Sequence, residues 1–516
     1  MSKTKLSLNG ISRNLTNCEK FLGRFTFSTG LFFFLKSIVF VAIIYALYYA
    51  YAIRVLNAKM YGELIHEFDP WFNYRAAEYL STHGWSSFFQ WFDYMSWYPL
   101  GRPVGSTIYP GMQITAVAIH RVLNAVGIHM SINAVCVYIP AWFGVVATLL
   151  NALITYEISG SLLAVAVAAY TFSMVPAHTM RSMAGEFDNE CIAVAAMLLC
   201  FYLWIRSLRN ARSWPVGLVT GLAYGYMVAA WGGHVFTLNM IALHAGLSAL
   251  LDWALNRYNP SLLYSYSLFF IVGTTIATRV PPVGMSPFKS LEQLSALLVF
   301  VFLWTLHMSE ALRKRADVNN IRSRKCLRIR IRALSMTAFG LVLAAALLLP
   351  LGYFQSFSHR VRALFLKHTY TGNPLVDSVA EHQATSRETF QSFLRICETG
   401  WILGFALLLL NCVMRETPAK TFVLIYSVAA YYFSQRMSRL LILAGPVAST
   451  LTGFIFGLTA EYVFSTLWWN VATGDPEAEV GSVLDKRKTL FKTNTKKKEI
   501  THNDKKKTVM AVSLPQ

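Results

Sequence analysis

Seven ionisable residues, scattered widely along the chain, are of the types that together handle a phosphorylated substrate. Glu67 and Asp69 lie in "HEFDP", Asp188 and Glu190 in "GEFDNE", and Glu381 in "SVAEHQ"; Arg181 precedes the second motif and Arg439 falls in "RMSRLLILAGP". Carboxylates gathered in one place raise each other's pKa unless a positive charge lies between them. Hard cations such as Mg²⁺ and Mn²⁺ supply that charge, taking oxygen ligands and commonly pairing one or two carboxylates with substrate phosphates. The D-x-E spacing of Asp188 and Glu190 puts two oxygen ligands on one face of an extended turn, with Asp69 arriving from another helix end. Arginines nearby bind diphosphate bidentately and stabilise it as a leaving group. The chemistry suggested is transfer from a diphosphate-linked donor at a membrane surface. Each piece alone is weak: an E-x-D or D-x-E outside a span is usually a solvated loop, and an arginine near a helix end usually snorkels. His234 in "WGGHVF", with Trp71 and Phe72, reads as an interface-belt group. Only a shared side of the membrane gives the combination meaning.

The elements that must position these residues follow from composition. The chain has 516 residues, 55% of them hydrophobic and only 14% charged, against about 25% charged in a soluble domain. It is expected to be an all-α polytopic membrane protein. Apolar runs long enough for ~30 Å of hydrocarbon recur along it. The first, "LFFFLKSIVFVAIIYALYYAYAI" (Leu31–Ile53), is too long for a signal-peptide core and reads as a retained anchor. The seven cysteines are scattered without a CxxC pair, so neither a disulfide framework nor a zinc site is expected. The net charge of +20 sits in three blocks: an N-terminal tail, "RKRADVNNIRSRKCLRIRIR" (Arg313–Arg332) and "KRKTLFKTNTKKKEITHNDKKK" (Lys486–Lys507). Basic clusters between spans mark cytoplasmic segments and anionic lipid rather than nucleic acid.

With the N-terminus in the cytoplasm, Leu31–Ile53 exits into a long loop, 54–133, rich in turn signals such as "YPLGRPVGSTIYPG". Its Met112–Ile128 segment is short for a span and suits an interfacial or re-entrant helix. Spans follow near Ala134–Glu157, Ser161–Met180, Cys191–Leu208, Trp214–Ala230, Val235–Leu251, Leu262–Val280, Leu291–Leu312 and Ala333–Tyr353. A second long loop, 354–398, precedes Trp401–Val413, Phe422–Phe433 and Leu440–Val463. That makes about twelve crossings, and every basic block lands inside. The three domains expected are a cytoplasmic tail over 1–30, a membrane domain over 31–463, and a basic, disordered cytoplasmic tail over 464–516. All three acidic motifs then share the non-cytoplasmic side.

The strings "HEFDPWFNYRAAEYL", "FFQWFDYMSWYPLGRPVG", "RSMAGEFDNE", "WGGHVF", "SVAEHQ" and "YYFSQRMSRLLILAGPVASTLTG" resemble the catalytic subunit of the oligosaccharyltransferase, from about Tyr48 to Gly457. The likeness is greatest to single-subunit protozoan forms, which act without accessory subunits. It implies a GT-C membrane fold in the endoplasmic reticulum, with the active site lumenal. It implies transfer of an oligosaccharide from a dolichyl-diphosphate donor to the asparagine of an Asn-X-Ser/Thr sequon in a nascent polypeptide. "EFD" (Glu67, Asp69) matches the family's first acidic motif, making Asp69 a ligand of Mn²⁺ or Mg²⁺. "DNE" matches the second, making Asp188 and Glu190 its partner ligands. "SVAE" (Ser378, Val379, Ala380, Glu381) matches an SVSE-type motif and puts Glu381 at the acceptor amide; alanine replaces the second serine. Arg181 matches an arginine important for catalysis, and Arg439 the one contacting the donor diphosphate. His234 stands where an aromatic is common and is assigned no role.

One departure bears on function. The family's lumenal WWDYG motif, which grips the sequon Ser or Thr, is not among these residues. The nearest string, "WWNVATG" (Trp468–Gly474), lacks Asp-Tyr-Gly. The expectation is a truncated form of the transferase. The alternatives are an inactive donor-lipid-binding truncation and, from another class, a multispanning transporter. A transporter would carry charges near mid-span, whereas these acids sit at helix ends.

Overall fold

A computed structural model describes residues 29–255, 257–318, 320, 322–356 and 378–473. The expected N-terminal tail, its "NLT" sequon at Asn14–Thr16 and the lysine-rich block lie outside the described residues. The chain divides into two units, Thr26–Leu458 and a second made of Met1–Phe25 with Thr459–Gln516. In the second unit the described part is the end of one helix.

Within hydrocarbon a backbone must satisfy its own N–H and C=O groups, so apolar runs become helices. In order they are α1 (Thr29–Arg54), α2 (Phe68–Phe89), α3 (Gly111–Ala125), α4 (Ile132–Ser159), α5 (Leu162–Met174), α6 (Asn189–Ser207), α7 (Val216–Ala230) and α8 (His234–Ala254). Then come α9 (Pro260–Ala277), α10 (Leu291–Arg315), α11 (Arg324–Leu348), α12 (Arg387–Leu394), α13 (Ile396–Met414), α14 (Pro418–Arg436) and α15 (Leu441–Thr473). Every expected span falls on one of these helices. Nine helices among the described residues are long and apolar enough to cross a membrane; α5 and α7 are apolar but shorter. No strand occurs among the described residues, only two isolated bridges.

Several boundaries differ from expectation for local reasons. The span expected over Ser161–Met180 stops at Met174, because Val175 precedes Pro176 and is driven into extended backbone. The basic stretch Arg313–Arg332 is mostly helix: α10 runs through Arg315, and α11 begins at Arg324, where the Ser323 side chain accepts from the Cys326 amide. The segment 54–133 is mostly helical as well, holding α2 and α3. Residues 464–473, expected in a disordered tail, continue α15, since "FSTLWWNVAT" holds no breaker before Gly474 and Pro476. His234 is no interface residue: it is buried at the start of α8, with Nδ1 3.1 Å from the Tyr224 hydroxyl.

At the centre stands α6, enclosed by α4, α7, α8 and α14. Its Trp204 and Phe201 are fully buried among Tyr266, Phe269, Phe422 and Tyr426. Helices in lipid gain little hydrophobic energy from each other, so small residues that admit close approach decide their contacts. Gly217, Gly221 and Gly225, four apart on α7, serve this purpose against α9; a Cβ at Gly217 would collide with the Ser265 carbonyl. This packing fixes the start of α6, where the second acidic motif ends.

Candidate active site

The first and second acidic motifs are joined through backbone. His66 N–H donates to Gly185 O at 3.0 Å, and Gly185 N–H donates to Val137 O at 2.9 Å. Gly185 has φ +93°, and a Cβ there would strike the Leu64 carbonyl oxygen. Glycine is required on both counts. Glu67 leads into α2 with φ 60° and ψ 170°, a region that side chains rarely occupy, and strain of this kind gathers at functional sites. The third acidic motif folds onto the α14–α15 junction. Ser438 N–H donates to Gln383 O at 3.0 Å, the Ser438 hydroxyl donates to Glu381 O at 3.1 Å, and Thr385 N–H donates to Gln435 O at 3.3 Å.

On this frame the side chains converge. Asp188 caps α6, its Oδ1 accepting from Asn189 N–H at 2.7 Å. The same oxygen lies 3.4 Å from Nδ2 of Asn73, one helical turn after Asp69, and the buried Gln113 of α3 holds Asn73 by donating to its Oδ1 at 3.1 Å. Asp69 is shielded enough at this junction for burial to raise its pKa; the Asp188 charge raises it further, and Arg439 opposes both. Glu190 is buried, and Arg439 Nε donates to its Oε1 at 2.7 Å. Arg181 Nε lies 3.5 Å from Glu190 Oε2, and Arg181 Nη2 donates to Glu381 Oε1. Burial works against the Arg181 charge, but Glu190 and Glu381 outweigh it and hold the guanidinium firmly protonated. The result is an ionic chain from Arg439 through Glu190 and Arg181 to Glu381, with Asp69 and Asp188 close enough for their charges to act on Arg439.

Six expected residues thus meet: Asp69, Asp188, Glu190, Arg181, Glu381 and Arg439. Glu67 does not join them by contact; its side chain is exposed, and its charge acts on Asp69 and on Glu186. Ser378 and Val379 lie exposed at the approach, where Val379 O accepts from His382 N–H at 3.0 Å, and Ala380 opens the short 3₁₀ turn that carries Glu381. The metal expectation needs a correction of arrangement. Among the described residues no three acidic, histidine or cysteine side chains form a ready metal cluster. The charge of Asp188 acts on Asp69, but Glu190 is turned to two arginines. The donor set still suits a hard divalent cation: Asp69 and Asp188 repel, and Glu190 Oε2 is a buried oxygen with no hydrogen-bond partner.

Sequence reasoning missed Asn73, Gln113, Gly185, Glu186 and Arg102. Glu186, the remaining carboxylate of "GEFDNE", is driven up to about 7 by burial and by the Glu67 charge. The amides gave no signal, since a helical Asn or Gln looks like any other. Gly185 could have been found from its place between two motif carboxylates.

The fold and the site define a polytopic α-helical membrane protein of the GT-C class with an acidic and arginine-lined centre. Residues 34–450 match the family described as Oligosaccharyl transferase STT3, N-terminal. The chain belongs to that family. It is 35% identical over 428 residues to the dolichyl-diphosphooligosaccharide–protein glycosyltransferase subunit STT3 of Dictyostelium discoideum, covering 83% of this chain and 57% of that one. It is 34% identical over 417 residues to the subunit stt-3 of Caenorhabditis elegans, covering 81% and 53%. The chain spans about half the length of the curated relatives it matches. Its fold matches the archaeal oligosaccharyltransferase AglB of Archaeoglobus fulgidus, solved with an inhibitory peptide and a dolichol-phosphate, with TM-score 0.65 and 17% identity over 86% of this chain and 53% of that one.

Proposed function

We propose that this chain carries the active centre of an oligosaccharyltransferase, moving a preassembled oligosaccharide from a dolichyl-diphosphate donor to the asparagine amide of Asn-X-Ser/Thr sequons in nascent polypeptides. The observation that carries the reading is the convergence of Asp69, Asp188, Glu190, Arg181, Glu381 and Arg439 from four separate segments.

The nucleophile sets the demand on the site. An amide nitrogen shares its lone pair with the carbonyl, which keeps the group planar. Asp69 and Glu381 each accept one N–H of the acceptor amide, and holding both twists the C–N bond and frees electron density on nitrogen. The nitrogen attacks the anomeric carbon while the bond from that carbon to the diphosphate breaks; the electron pair stays on the departing phosphate oxygen, and one amide proton passes from nitrogen to a carboxylate that held it, Asp69 or Glu381. Arg439 uses Nε on Glu190, and among the described residues its terminal nitrogens donate to no group, which suits them to a phosphate oxygen. Arg181 holds Glu381 in place through a charge-assisted hydrogen bond. Asp69 and Asp188, joined by Glu190 once it is released from an arginine, would hold Mn²⁺ or Mg²⁺, which when bound would supply positive charge to offset that of the diphosphate. An archaeal oligosaccharyltransferase has been solved with Zn and sulfate, which supports a divalent metal in this fold.

The reading places the chain in the endoplasmic reticulum membrane, N-terminus cytoplasmic, with loops 54–133 and 354–398 and the acidic centre lumenal. Its partners are the lipid-linked donor, the acceptor polypeptide and the surrounding lipids, without nucleic acid or a requirement for accessory subunits. The test is transfer from a dolichyl-diphosphate oligosaccharide to a sequon peptide in membranes. Asp69→Ala and Glu381→Ala are each expected to lower the rate by about 100-fold or more. Full activity in both variants would refute the scheme.

A further inference from the structure

Arg102 lies in "YPLGRPVG", outside the acidic motifs and the ionic chain, and it is held from several sides. Its backbone is paired on both sides with Asp93: Asp93 N–H donates to Arg102 O at 2.8 Å, and Arg102 N–H donates to Asp93 O at 2.9 Å. Asp93 is itself pinned by Arg75, whose Nε and Nη2 donate to its carboxylate at 2.8 and 3.0 Å. The Arg102 guanidinium lies over two rings, 4.6 Å from the Phe72 centroid and 4.9 Å from that of Trp97. Its Nε donates to the Thr107 hydroxyl at 3.1 Å. Backbone, ring planes and Nε are all held, while the two terminal nitrogens donate to no group among the described residues.

Position gives this clamp a purpose. Phe72 is three residues after Asp69 on α2, so the two share a helix face. The guanidinium stacked on Phe72 is thus on the Asp69 side of α2, and the charges of Arg102 and Asp69 act on one another. Arg75 ends on Asp93, Arg181 on Glu190 and Glu381, and Arg439 on Glu190, while the buried Arg54 ends on neutral groups. Arg102 instead has its fork fixed and its donors unspent, which is the arrangement for receiving an oxyanion from outside. The aromatic planes add to the rigidity, since a stacked guanidinium loses little further entropy on binding.

We propose that Arg102 is a further substrate-binding residue of this centre, taking a phosphate oxygen of the diphosphate-linked donor alongside Arg439. The inference rests on the donor reading given above. With one arginine from the 94–110 segment and one from the α14–α15 junction, the site addresses both phosphates of a diphosphate rather than one. It therefore separates diphosphate from monophosphate lipid by a bidentate, two-arginine grip.

The test is equilibrium binding of dolichyl diphosphate and of dolichyl monophosphate to the purified full chain in nanodiscs, with Mn²⁺ present. Wild type is expected to prefer the diphosphate. Arg102→Ala is expected to weaken diphosphate binding by about tenfold or more while leaving monophosphate binding unchanged. Arg102→Lys, which keeps the charge but not the fork, is expected to fall between them. Thr107→Ala, which frees Nε without removing the cation, is expected to give a smaller loss in the same direction. A fold defect in Arg102→Ala would lower binding of both lipids together; that result, or unchanged diphosphate affinity in both Arg102 variants, overturns the assignment. If wild type binds neither lipid, the donor reading fails and this inference with it. If wild type binds the diphosphate and the Arg102 variants match it, only this inference fails.

Discussion

Charge is managed residue by residue, and the means differ with depth. Arg54, at the end of α1, is fully buried without a carboxylate. Four neutral groups surround it: Nε donates to the Ser182 hydroxyl at 2.8 Å, Nη1 donates to Ala50 O at 2.9 Å and Ser173 O at 3.0 Å, and Nη2 meets His178 Nδ1 at 3.0 Å. Gly144 leaves the room, since a Cβ there would collide with the Arg54 side chain. The arginine thereby ties three segments to the stretch just after Arg181. Asp93 is managed the opposite way, by direct pairing. Burial pushes its pKa up, but hydrogen bonds from Arg75, Ser96 and the Met95 amide, together with the Arg75 charge, pull it down from 3.8 to about 2. A folded-state pKa below the unfolded one contributes stability that is present above pH 3.8 and lost as pH falls toward 2. Asp93→Asn is therefore expected to unfold at lower temperature than wild type at pH 7. The gap should close between about pH 4 and pH 2 when both are followed by thermal denaturation in detergent. A constant gap across that range would mean that the aspartate acts through shape alone.

Among elements, the decisive event is the meeting of loops at helix ends. Helices α2 and α6 bring Asp69 and Asp188 to one level only because His66 and Gly185 exchange a backbone hydrogen bond between their preceding loops. Gly185→Ala is expected to cost about 1–3 kcal/mol through its positive φ, with a further penalty from the clash with Leu64 O. Because the damage lies between the two motifs, donor transfer should fall more than the melting temperature implies. Measuring both on the same preparation checks this, and a destabilised variant with normal transfer would show that the two loops need not be locked. Helix α3 has a similar role at longer range. Too short to span, it places Gln113 behind Asn73 and so behind Asp188.

For the molecule as a whole, the prediction concerns sides. The acidic motifs meet in space, so they share a compartment, whereas the basic α10–α11 connection is expected on the other, cytoplasmic side. Cysteine scanning in a background without accessible native cysteines is expected to label Glu67→Cys and Ser378→Cys from one side and Arg322→Cys from the other. Labelling of Glu67→Cys and Ser378→Cys from opposite compartments would break the reading.

Hydropathy and motif spacing by themselves determined the helical membrane class, the helices on which the expected spans fall, and the charged residues of the candidate centre. These are short-range properties: a run of apolar side chains must become a helix in lipid whatever lies beside it, and an acidic motif at a helix end is visible as a string. Only the tertiary structure decided which charges pair. Glu190 and Arg439 are far apart in the chain, and whether Glu190 faces a cation or an arginine depends on where α6 and the α14–α15 junction come to rest. The same holds for the amides behind Asp188, the clamp around Arg102 and the glycine at 185. Each owes its role to a neighbour brought in by folding, and pairwise distances between remote segments are not written in either segment alone.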